Sequence, residues 1–295
     1  MKVLVTGGTG FIGRALCASL IEAGHIPTVL TRSTEKAARV LGSSVTAVER
    51  LEQAASPDAV VNLIGENLGS GRWNDERKRD LWTSRVNATR LLVAWMRGLP
   101  TAPRTLISAS AIGYYGAHED EEISEDTPAG DGFGAKLCEA WEQEASSAET
   151  LGMRVCRLRI GLVLARGGGP LAKLLPAYRL GLGGPLGSGE QYVSWIHRAD
   201  LVALIVRTLE DATLQGPVNA TAPNPVTNDE FSRTLGRVLH RPAFFRVPAV
   251  ALRMALGEMS GLLLTGQRVR PSRALAAGFE FRYPALEVAL REVLA

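Results

Sequence analysis

The chain opens MKVLVTGGTGFIG over residues 1–13, and this stretch decides the fold class. Its apolar run at residues 3–5 is typical of a short buried strand, and glycines follow at once. At the spacing of Gly7, Gly10 and Gly13, the first glycine permits a tight turn, the second lets the backbone approach a pyrophosphate, and the third lets a helix pack closely on a strand. We therefore predict a dinucleotide-binding strand–turn–helix unit with the anion at the helix N-terminus. A mononucleotide P-loop is excluded, because no Gly-Lys-Ser/Thr follows.

Strand and helix patterns alternate through the first 165 residues. Short apolar runs predict further strands at residues 26–31, 45–48, 59–64, 105–108 and 155–160. Longer amphipathic patterns predict helices at residues 11–23, 75–97 and 134–151. Alternation of this kind predicts an α/β fold of the Rossmann type, a doubly wound parallel sheet with helices on both faces.

The pattern changes after residue 165. Glycine-rich segments occupy residues 167–170 and 181–189, and from a capping box at residues 227–230 onward the chain is mostly helical. We therefore expect a dinucleotide-binding domain over residues 1–165, to which residues 192–222 return. A smaller, partly interleaved substrate domain would comprise residues 166–191 and 223–295.

Composition excludes several classes of protein. With 46% hydrophobic and 21% charged residues, the chain is neither disordered nor fibrous. A net charge of +3 and the lack of any basic run argue against a nucleic-acid partner. The three cysteines stand far apart, which predicts buried thiols in a reducing compartment. Because no apolar stretch reaches the ~18–20 residues of a membrane helix and no signal-peptide core forms, we expect a cytoplasmic or organelle-matrix protein without a membrane partner.

The end of the second predicted strand, LTRS over residues 30–33, bears on the cofactor. A fold of this type that prefers NAD places a carboxylate here to bind the ribose 2′-hydroxyl, but the first acid is Glu35. Arg32 is instead placed to bind the 2′-phosphate of NADP, with Thr31 and Ser33 as hydroxyl donors. An ordinary surface arginine is the alternative interpretation. We predict NADP as the cofactor.

Several further motifs accompany the glycine-rich opening. They are NLIGEN at 62–67, GRWN at 71–74, NAT at 87–89, SASAIGYYG at 108–116, GLGGPLGSG at 181–189 and WIHRAD at 195–200. With them the chain resembles the extended short-chain dehydrogenases/reductases over almost its whole length. It more closely resembles an atypical, epimerase-like branch, often labelled nucleoside-diphosphate-sugar epimerases or cell-division-inhibitor homologues.

The resemblance implies a set of cofactor contacts. Residues of the glycine-rich turn would hold the pyrophosphate, those after the second strand the adenosine phosphate, and those after the fourth strand the adenine and ribose. The implied residues are Gly7, Thr9, Gly10, Phe11, Ile12, Gly13, Thr31, Arg32, Leu63, Ile64, Gly65 and Arg85. Arg85 would be a branch-specific polar contact, or equally a residue of a solvated helix face, and Asn87 would brace the wall of the active site.

The catalytic pattern of the superfamily is incomplete in this chain. Its members use a tyrosine that is made acidic by a lysine four residues further on, and a serine at the end of the fifth strand that holds the substrate oxygen. Ser110 corresponds to that serine within one residue, and Lys136 lies in the appropriate helix. Four residues before Lys136 stands Gly132, and the nearest aromatic residue, Phe133, has no ionisable proton.

We therefore predict Ser110, Tyr114 and Lys136 as the catalytic residues. Tyr114 would donate the proton, and Lys136 would stabilise the phenolate that remains. In the alternative interpretation, one residue of the pair Tyr114 and Tyr115 packs in the core and the other lines the nicotinamide pocket.

Other polar groups are weaker candidates. His118 and the acidic run at 119–122 form a solvated loop more readily than a metal site. His197 is expected to order a loop, and Arg268 and Arg270 are candidates for binding a substrate diphosphate.

Two functions follow from these observations. The first is an NADP-dependent oxidoreductase or epimerase that acts on a hydroxyl or carbonyl group of a sugar nucleotide or a similar small metabolite. The second is a non-catalytic NADP(H)-binding protein that senses redox state or binds a partner, because the usual tyrosine is absent. The oligomeric state is left open: the long helices at 75–97 and 134–151 could form the four-helix homodimer that is common in the superfamily.

Overall fold

The computed structural model describes residues 1–295. Its strands are β1 (Lys2–Thr6), β2 (Ile26–Leu30), β3 (Thr46–Val48), β4 (Ala59–Asn62), β5 (Thr105–Ala111), β6 (Glu122–Ile123), β7 (Arg154–Ile160), β8 (Leu162–Leu164), β9 (Tyr192–Val193), β10 (Trp195–His197), β11 (Gly216–Ala220), β12 (Val226–Thr227) and β13 (Arg268–Val269). Its α-helices are α1 (Gly13–Glu22), α2 (Thr34–Leu41), α3 (Asp75–Trp82), α4 (Ala88–Arg97), α5 (Phe133–Ser146), α6 (Gly169–Arg179), α7 (Arg198–Glu210), α8 (Asn228–Leu239), α9 (Ala249–Leu256), α10 (Gly261–Leu264), α11 (Ser272–Ala276) and α12 (Leu286–Leu294).

Seven strands form one parallel sheet in the order β11-β7-β5-β4-β1-β2-β3. The predicted Rossmann-type fold class is therefore confirmed. The chain moves outward in one direction from β1 to β3 and in the other from β4 to β11, so the strand order reverses between β1 and β4. Ligands of such sheets bind in the crevice outside the carboxyl ends of the strands at this reversal.

The predicted strands and helices match the observed ones with small shifts at their ends. The strands at the centre of the sheet are buried on both faces; every residue of β4 is buried, which is why it appears as an uninterrupted apolar run. Thr227 begins α8 as predicted, and its Oγ1 accepts a hydrogen bond from the Glu230 backbone N–H. The helices α2 and α6 were not predicted, because each has only one or two buried residues and α6 begins at the last of the glycines at 167–169. The short helices α9, α10 and α11 lie in the part of the chain that was predicted only as mostly helical.

The long helix predicted at 75–97 is interrupted. Its two halves, α3 and α4, are joined by a π-helical turn at Thr83–Asn87. Such turns accommodate one extra residue and are frequent at functional sites. This one contains Arg85, which the resemblance assigns to the cofactor.

A second apolar cluster lies outside the main sheet. It is built around Trp195 and Phe231 and joins β8, β10 and α6 to the C-terminal helices α8 and α12. Asp200 anchors the intervening segment, because its carboxylate accepts hydrogen bonds from the backbone N–H groups of Arg282 and Tyr283 at 2.9 and 3.0 Å. Residues from β8 and α6 therefore share one apolar core with residues of the C-terminal helix α12. The exact division into domains stays a prediction.

The contact between β1 and α1 positions the crevice. Gly7 has a φ of +71°, and a Cβ at this residue would lie 2.6 Å from the Leu63 carbonyl oxygen. A Cβ on Gly13 would lie 2.3 Å from the Gly7 carbonyl oxygen and 2.6 Å from the Cα of Gly8. These neighbours are backbone atoms, which cannot move aside as a flexible side chain does. Helix α1 can therefore approach the turn after β1 this closely only with glycine at position 13, and the turn can approach the loop after β4 only with glycine at position 7.

Replacing Gly13 tests this constraint. Because the added methyl group meets backbone, we expect Gly13→Ala to lower the free energy of unfolding by about 1–3 kcal/mol, the range of an overpacked core. Gly134→Ala is the matched control, since a Cβ there has no neighbour within 4 Å and Gly134 lies in α5. The control should be neutral or stabilising by up to about 1 kcal/mol. Equal melting temperatures for the two variants would contradict the close-packing argument.

Candidate functional site

The turn between β1 and α1 has the properties of an anion site. The Gly10 N–H donates to the Gly7 carbonyl oxygen at 2.9 Å and closes the turn, whereas the N–H groups of Phe11, Ile12 and Gly13 donate to no group of the chain. No side chain caps the start of α1 and no acidic residue lies in its first turn. A Cβ on Gly10 would meet only the Gly7 carbonyl oxygen, at 3.0 Å. The backbone at Gly10 is thus open on the side where a phosphate would approach.

Sequence reasoning missed how the turn is held in place. The Arg198 guanidinium lies 5.1 Å from the Phe11 ring centroid, and the Phe11 ring in turn packs on Gly168, where a Cβ would lie 2.5 Å from it. Arg198 therefore links the glycine-rich turn to the start of α7. Arg198 belongs to the WIHRAD motif at 195–200, which was the available sequence signal for this contact.

The residues after β2 are arranged for a phosphate rather than for a ribose hydroxyl. Thr31 Oγ1 accepts a hydrogen bond from the Ser33 N–H, which shapes the loop, and Ser33 caps α2. Arg32 is exposed and forms no hydrogen bond or ion pair with the chain. The Glu35 carboxylate is directed to Arg39 at 3.2 Å. The loop thus offers a free guanidinium and no free carboxylate.

The loop after β4 is supported by Arg85. This side chain is 7% exposed, and its Nη2 donates to the Glu66 carbonyl oxygen at 2.7 Å. Its guanidinium lies 5.4 Å from the Trp141 ring, and a Cβ on Gly65 would lie 3.0 Å from its Cζ. Burial lowers the pKa of Arg85 to about 10. These contacts make Arg85 a support for the loop that contains Leu63, Ile64 and Gly65, while its direct contact with the cofactor stays a prediction.

Asn87, expected to brace the active-site wall, forms no side-chain hydrogen bond within the chain. The bracing contacts come from Thr89, two residues further on in α4. Its Oγ1 accepts hydrogen bonds from Asn62 Nδ2 and Trp141 Nε1, both at 2.9 Å. The side-chain amide of Asn62 also accepts from Thr6 Oγ1 at 2.7 Å, so a buried polar chain joins β1, β4, α4 and α5.

Ser110 belongs to a buried ionic network. Its Oγ donates to Glu142 Oε1 at 2.7 Å, and Glu142 forms a two-pronged pair with Arg159, with distances of 2.9 and 3.0 Å. All three residues are less than 5% exposed. Burial alone would lower the pKa of Arg159, but the hydrogen bonds and the charge of Glu142 raise it above its ordinary value. The Ser110 hydroxyl proton is thus committed to Glu142, and only its lone pairs could serve a ligand.

The two tyrosines after β5 have different surroundings. Tyr115 is fully buried; its hydroxyl donates to Asn219 at 2.6 Å and accepts from Arg159, and burial raises its pKa to about 12. Tyr114 is half-buried and its hydroxyl forms no hydrogen bond within the chain. Its ring lies face-on to the Arg159 guanidinium, 3.5 Å from the centroid. Tyr115 is therefore a core residue, whereas Tyr114 has an available hydroxyl.

Lys136 is not the cation that the structure places against Tyr114. Lys136 is exposed on α5 and forms no ion pair or side-chain hydrogen bond within the chain, and the charge beside the tyrosine ring belongs to Arg159. Phe133, near the position of the superfamily tyrosine, packs edge-on against Trp73 at 5.4 Å and lies 5.3 Å from Lys78 Nζ. The structure thus brings Ser110 and Tyr114 together through Arg159, without Lys136.

Glu142 and Arg159 were not selected from the sequence. The available signal was their setting: Arg159 lies between the apolar residues Leu158 and Ile160 of β7, and Glu142 follows Trp141 on the buried face of α5. A charged residue at such a position is almost never buried unless it is paired. The partner could not be deduced, because the pair joins a helix to a strand in a way that depends on the packing.

The weaker candidates have structural contacts. His197 orders the start of α7 as expected, since its Nδ1 accepts from the Ala199 N–H and its Nε2 lies 2.7 Å from Glu292. His118 contacts Glu121 at 3.5 Å, and Arg270 pairs with Glu122 at 3.4 Å, whereas Arg268 lies over Tyr192. All three cysteines are free and buried. None of the helices is both long and apolar enough to span a bilayer.

Two family models match the chain. Residues 3–220 match the NAD dependent epimerase/dehydratase family, and residues 247–293 match a domain of unknown function, DUF1731. The first match contains the glycine-rich turn, the Arg85 turn and the Ser110 network. The second covers α9 to α12.

Individual proteins are similar over the full chain. The chain is 41% identical to an epimerase family protein SDR39U1 homologue, chloroplastic, from Arabidopsis thaliana, over 100% of the chain and 87% of the relative. It is 38% identical to human epimerase family protein SDR39U1, over 100% of both.

Solved structures agree with this relationship. A crystal structure of human SDR39U1 (isoform 2) with NADPH superposes with a TM-score of 0.90 at 37% identity, over 99% of both chains. A UDP-galactose 4-epimerase superposes with a TM-score of 0.77 at 18% identity, which shows a shared fold alone. With its motifs, fold and near-complete coverage, the chain therefore belongs to the NAD dependent epimerase/dehydratase family, among the SDR39U1-type, atypical extended short-chain dehydrogenases/reductases.

Proposed function

We propose that this protein binds NADP(H) and uses it in an oxidoreductase or epimerase reaction on a hydroxyl or carbonyl group of a small metabolite, such as a sugar nucleotide. The observation that carries the proposal is the glycine-rich turn. It combines a backbone open at Gly10, free N–H groups at the start of α1 and, after β2, an unpaired Arg32. These groups match the pyrophosphate and the 2′-phosphate of NADP. The relative crystallised with NADPH supports the same cofactor.

The bound nicotinamide would supply hydride transfer, and the chain would supply binding and proton transfer. Tyr114 is the proposed proton donor, because its hydroxyl has no partner within the chain. The Arg159 guanidinium lies 3.5 Å from the Tyr114 ring centroid and would hold the ring, and with it the hydroxyl, in place. Lys136, free of ion pairs, stays in the proposal as a group available to a ligand.

Two observations favour the second candidate, a non-catalytic NADP(H)-binding protein. Phe133, near the position of the superfamily tyrosine, packs against Trp73 and has no proton to transfer. Ser110 donates its only proton to Glu142 rather than leaving it for a substrate. In such a protein the cofactor would report redox state or complete a surface for a partner.

Two measurements on the same preparation separate the candidates. Calorimetry with NADPH establishes binding. Reduction of small carbonyl compounds is then followed by the loss of NADPH absorbance, oxidation of nucleotide sugars by its appearance from NADP⁺, and epimerisation, which leaves the cofactor unchanged overall, by NMR of the sugar. A product from any member of the panel supports the enzyme. Binding without turnover across the panel supports the second candidate. Absence of NADPH binding would contradict both.

Arg32 should determine the preference for NADP over NAD. We expect Arg32→Ala to weaken NADP binding roughly ten- to a hundred-fold, the equivalent of about 1.5–3 kcal/mol for a charge-assisted contact, and to leave NAD binding unchanged. Arg39→Ala is the control, because Arg39 is a nearby exposed arginine that pairs with Glu35. Calorimetric titration with both cofactors measures the effect. Equal affinities of the unmodified protein for NADP and NAD would refute the role of Arg32.

Gly10 should be needed for cofactor binding and not for folding. Gly10→Val places a branched side chain where the pyrophosphate meets the backbone, so binding of NADP and NAD should both be lost. Since a Cβ at Gly10 meets only one protein atom, at 3.0 Å, the melting temperature should fall less than in Gly13→Ala. Unchanged affinity for both cofactors in the Gly10→Val protein would remove the pyrophosphate from this turn.

Tyr114 should be required for turnover of any substrate that the panel reveals. Tyr114→Phe removes the available hydroxyl and keeps the ring on Arg159, so the rate should fall roughly 10²–10⁴-fold while NADPH affinity stays the same. Phe133→Tyr, which restores a phenol near the superfamily position, is the complementary variant. Full activity of Tyr114→Phe would show that Tyr114 only lines the pocket.

A further inference from the structure

A second group of cationic side chains lies at the opposite edge of the sheet from the glycine-rich turn. Arg154 begins β7 and Gly216 begins β11, so the groove between them lies at the amino ends of the strands. It encloses about 440 Å³ and is lined by Arg154, Arg157 and Arg273, with Glu149 as the sole carboxylate in the lining. The ligand crevice described above lies at the carboxyl ends. The groove is therefore a separate site.

Two of the guanidinium groups converge on one point. Gly216 leaves a gap in the floor of the groove: a Cβ there would lie 3.0 Å from Arg273 Nη1 and 3.5 Å from Arg157 Nη2. Two like charges are thus brought close together over a glycine. The positive charges also act on Cys156 in β7. Burial raises the pKa of the Cys156 thiol to about 12, and the charges of Arg154, Arg157 and Arg273 oppose this rise.

The three arginines differ in how far the chain satisfies them. Arg154 donates to the carbonyl oxygens of Leu214 and Thr208 at 2.6 and 2.8 Å. Arg273 is also satisfied, because its Nη1 donates to the Pro217 carbonyl oxygen at 3.1 Å and its Nη2 pairs with Asp126 at 2.9 Å. Arg157 forms no hydrogen bond and no ion pair with any residue, and its Nε is buried without a partner. Buried donors are normally satisfied, and an unsatisfied one indicates a missing partner.

We infer that this groove binds the phosphoryl group of a small metabolite, with Arg157 as its principal contact. Arg273 pairs with Asp126, whereas neither Arg154 nor Arg157 pairs with a carboxylate, so two guanidinium charges face the single carboxylate of the lining, Glu149, and favour an anionic ligand. The planar fork of arginine matches the oxygen geometry of a phosphoryl group. A cavity of about 440 Å³ has the size of a small-molecule site rather than that of a macromolecular interface.

The test is a calorimetric titration of the full chain at low ionic strength with inorganic phosphate, with malonate as a dicarboxylate comparison. We expect phosphate to bind more tightly than malonate, and Arg157→Gln to weaken phosphate binding roughly ten- to a hundred-fold. Arg157→Lys, which keeps the charge and loses the fork, should give an intermediate affinity. Arg39→Gln is the control: Arg39 is an exposed arginine of α2 that pairs with Glu35, so its replacement should leave the phosphate affinity unchanged.

The pyrophosphate turn is a competing location for phosphate, and the Gly10→Val protein separates the two. Phosphate affinity that persists in Gly10→Val and falls in Arg157→Gln supports the groove, whether or not NADPH binds. Affinity that is lost in Gly10→Val and kept in both Arg157 variants would overturn it. Tighter binding of malonate than of phosphate would overturn the phosphoryl assignment. Circular dichroism of each variant verifies that it is folded.

Discussion

The architecture depends on two residues that have no Cβ atom, Gly7 and Gly13. A Cβ on Gly13 would lie 2.3 Å from the backbone of the turn after β1, so α1 could not approach the turn, and a Cβ on Gly7 would lie 2.6 Å from the backbone of the loop after β4. The close approach has two consequences. It packs α1 against the centre of the sheet, and it leaves the N–H groups of Phe11, Ile12 and Gly13 without partners at the point where the strand order reverses. The same constraint that stabilises the fold thus creates the anion site.

A buried ion pair organises the other half of the crevice. Removing two charges from water is unfavourable by several kcal/mol for each ion, so Glu142 and Arg159 are tolerated only because their pairing is two-pronged and their remaining groups are satisfied. Ser110 and Tyr115 provide that satisfaction, and Tyr114 lies on the guanidinium. A fixed cation therefore stands behind the tyrosine, on β7, where the superfamily pattern would place a lysine on the following helix.

The sequence allowed prediction of the fold class, the central strands and the glycine-rich turn, but not of the catalytic surroundings. The interpretation of Lys136 as the partner of Tyr114 relied on sequence spacing, and the structure places Arg159 there instead. The π-helical turn at Thr83–Asn87 was likewise not predicted from the amphipathic pattern of residues 75–97. It places Arg85 under the loop after β4 and leaves the bracing role to Thr89.

What the sequence alone determined is local. A strand, a glycine turn and a helix start are set by residues within one short segment, and the alternation of strands and helices follows from period and burial. What the tertiary structure decided is which distant side chains meet. Glu142 and Arg159 come from a helix and a strand, and Arg157 and Arg273 converge over Gly216 from separate elements. These meetings depend on strand register and on the face that each side chain occupies. A charged side chain can be buried only where folding places an oppositely charged partner beside it, and the local sequence pattern does not specify that partner.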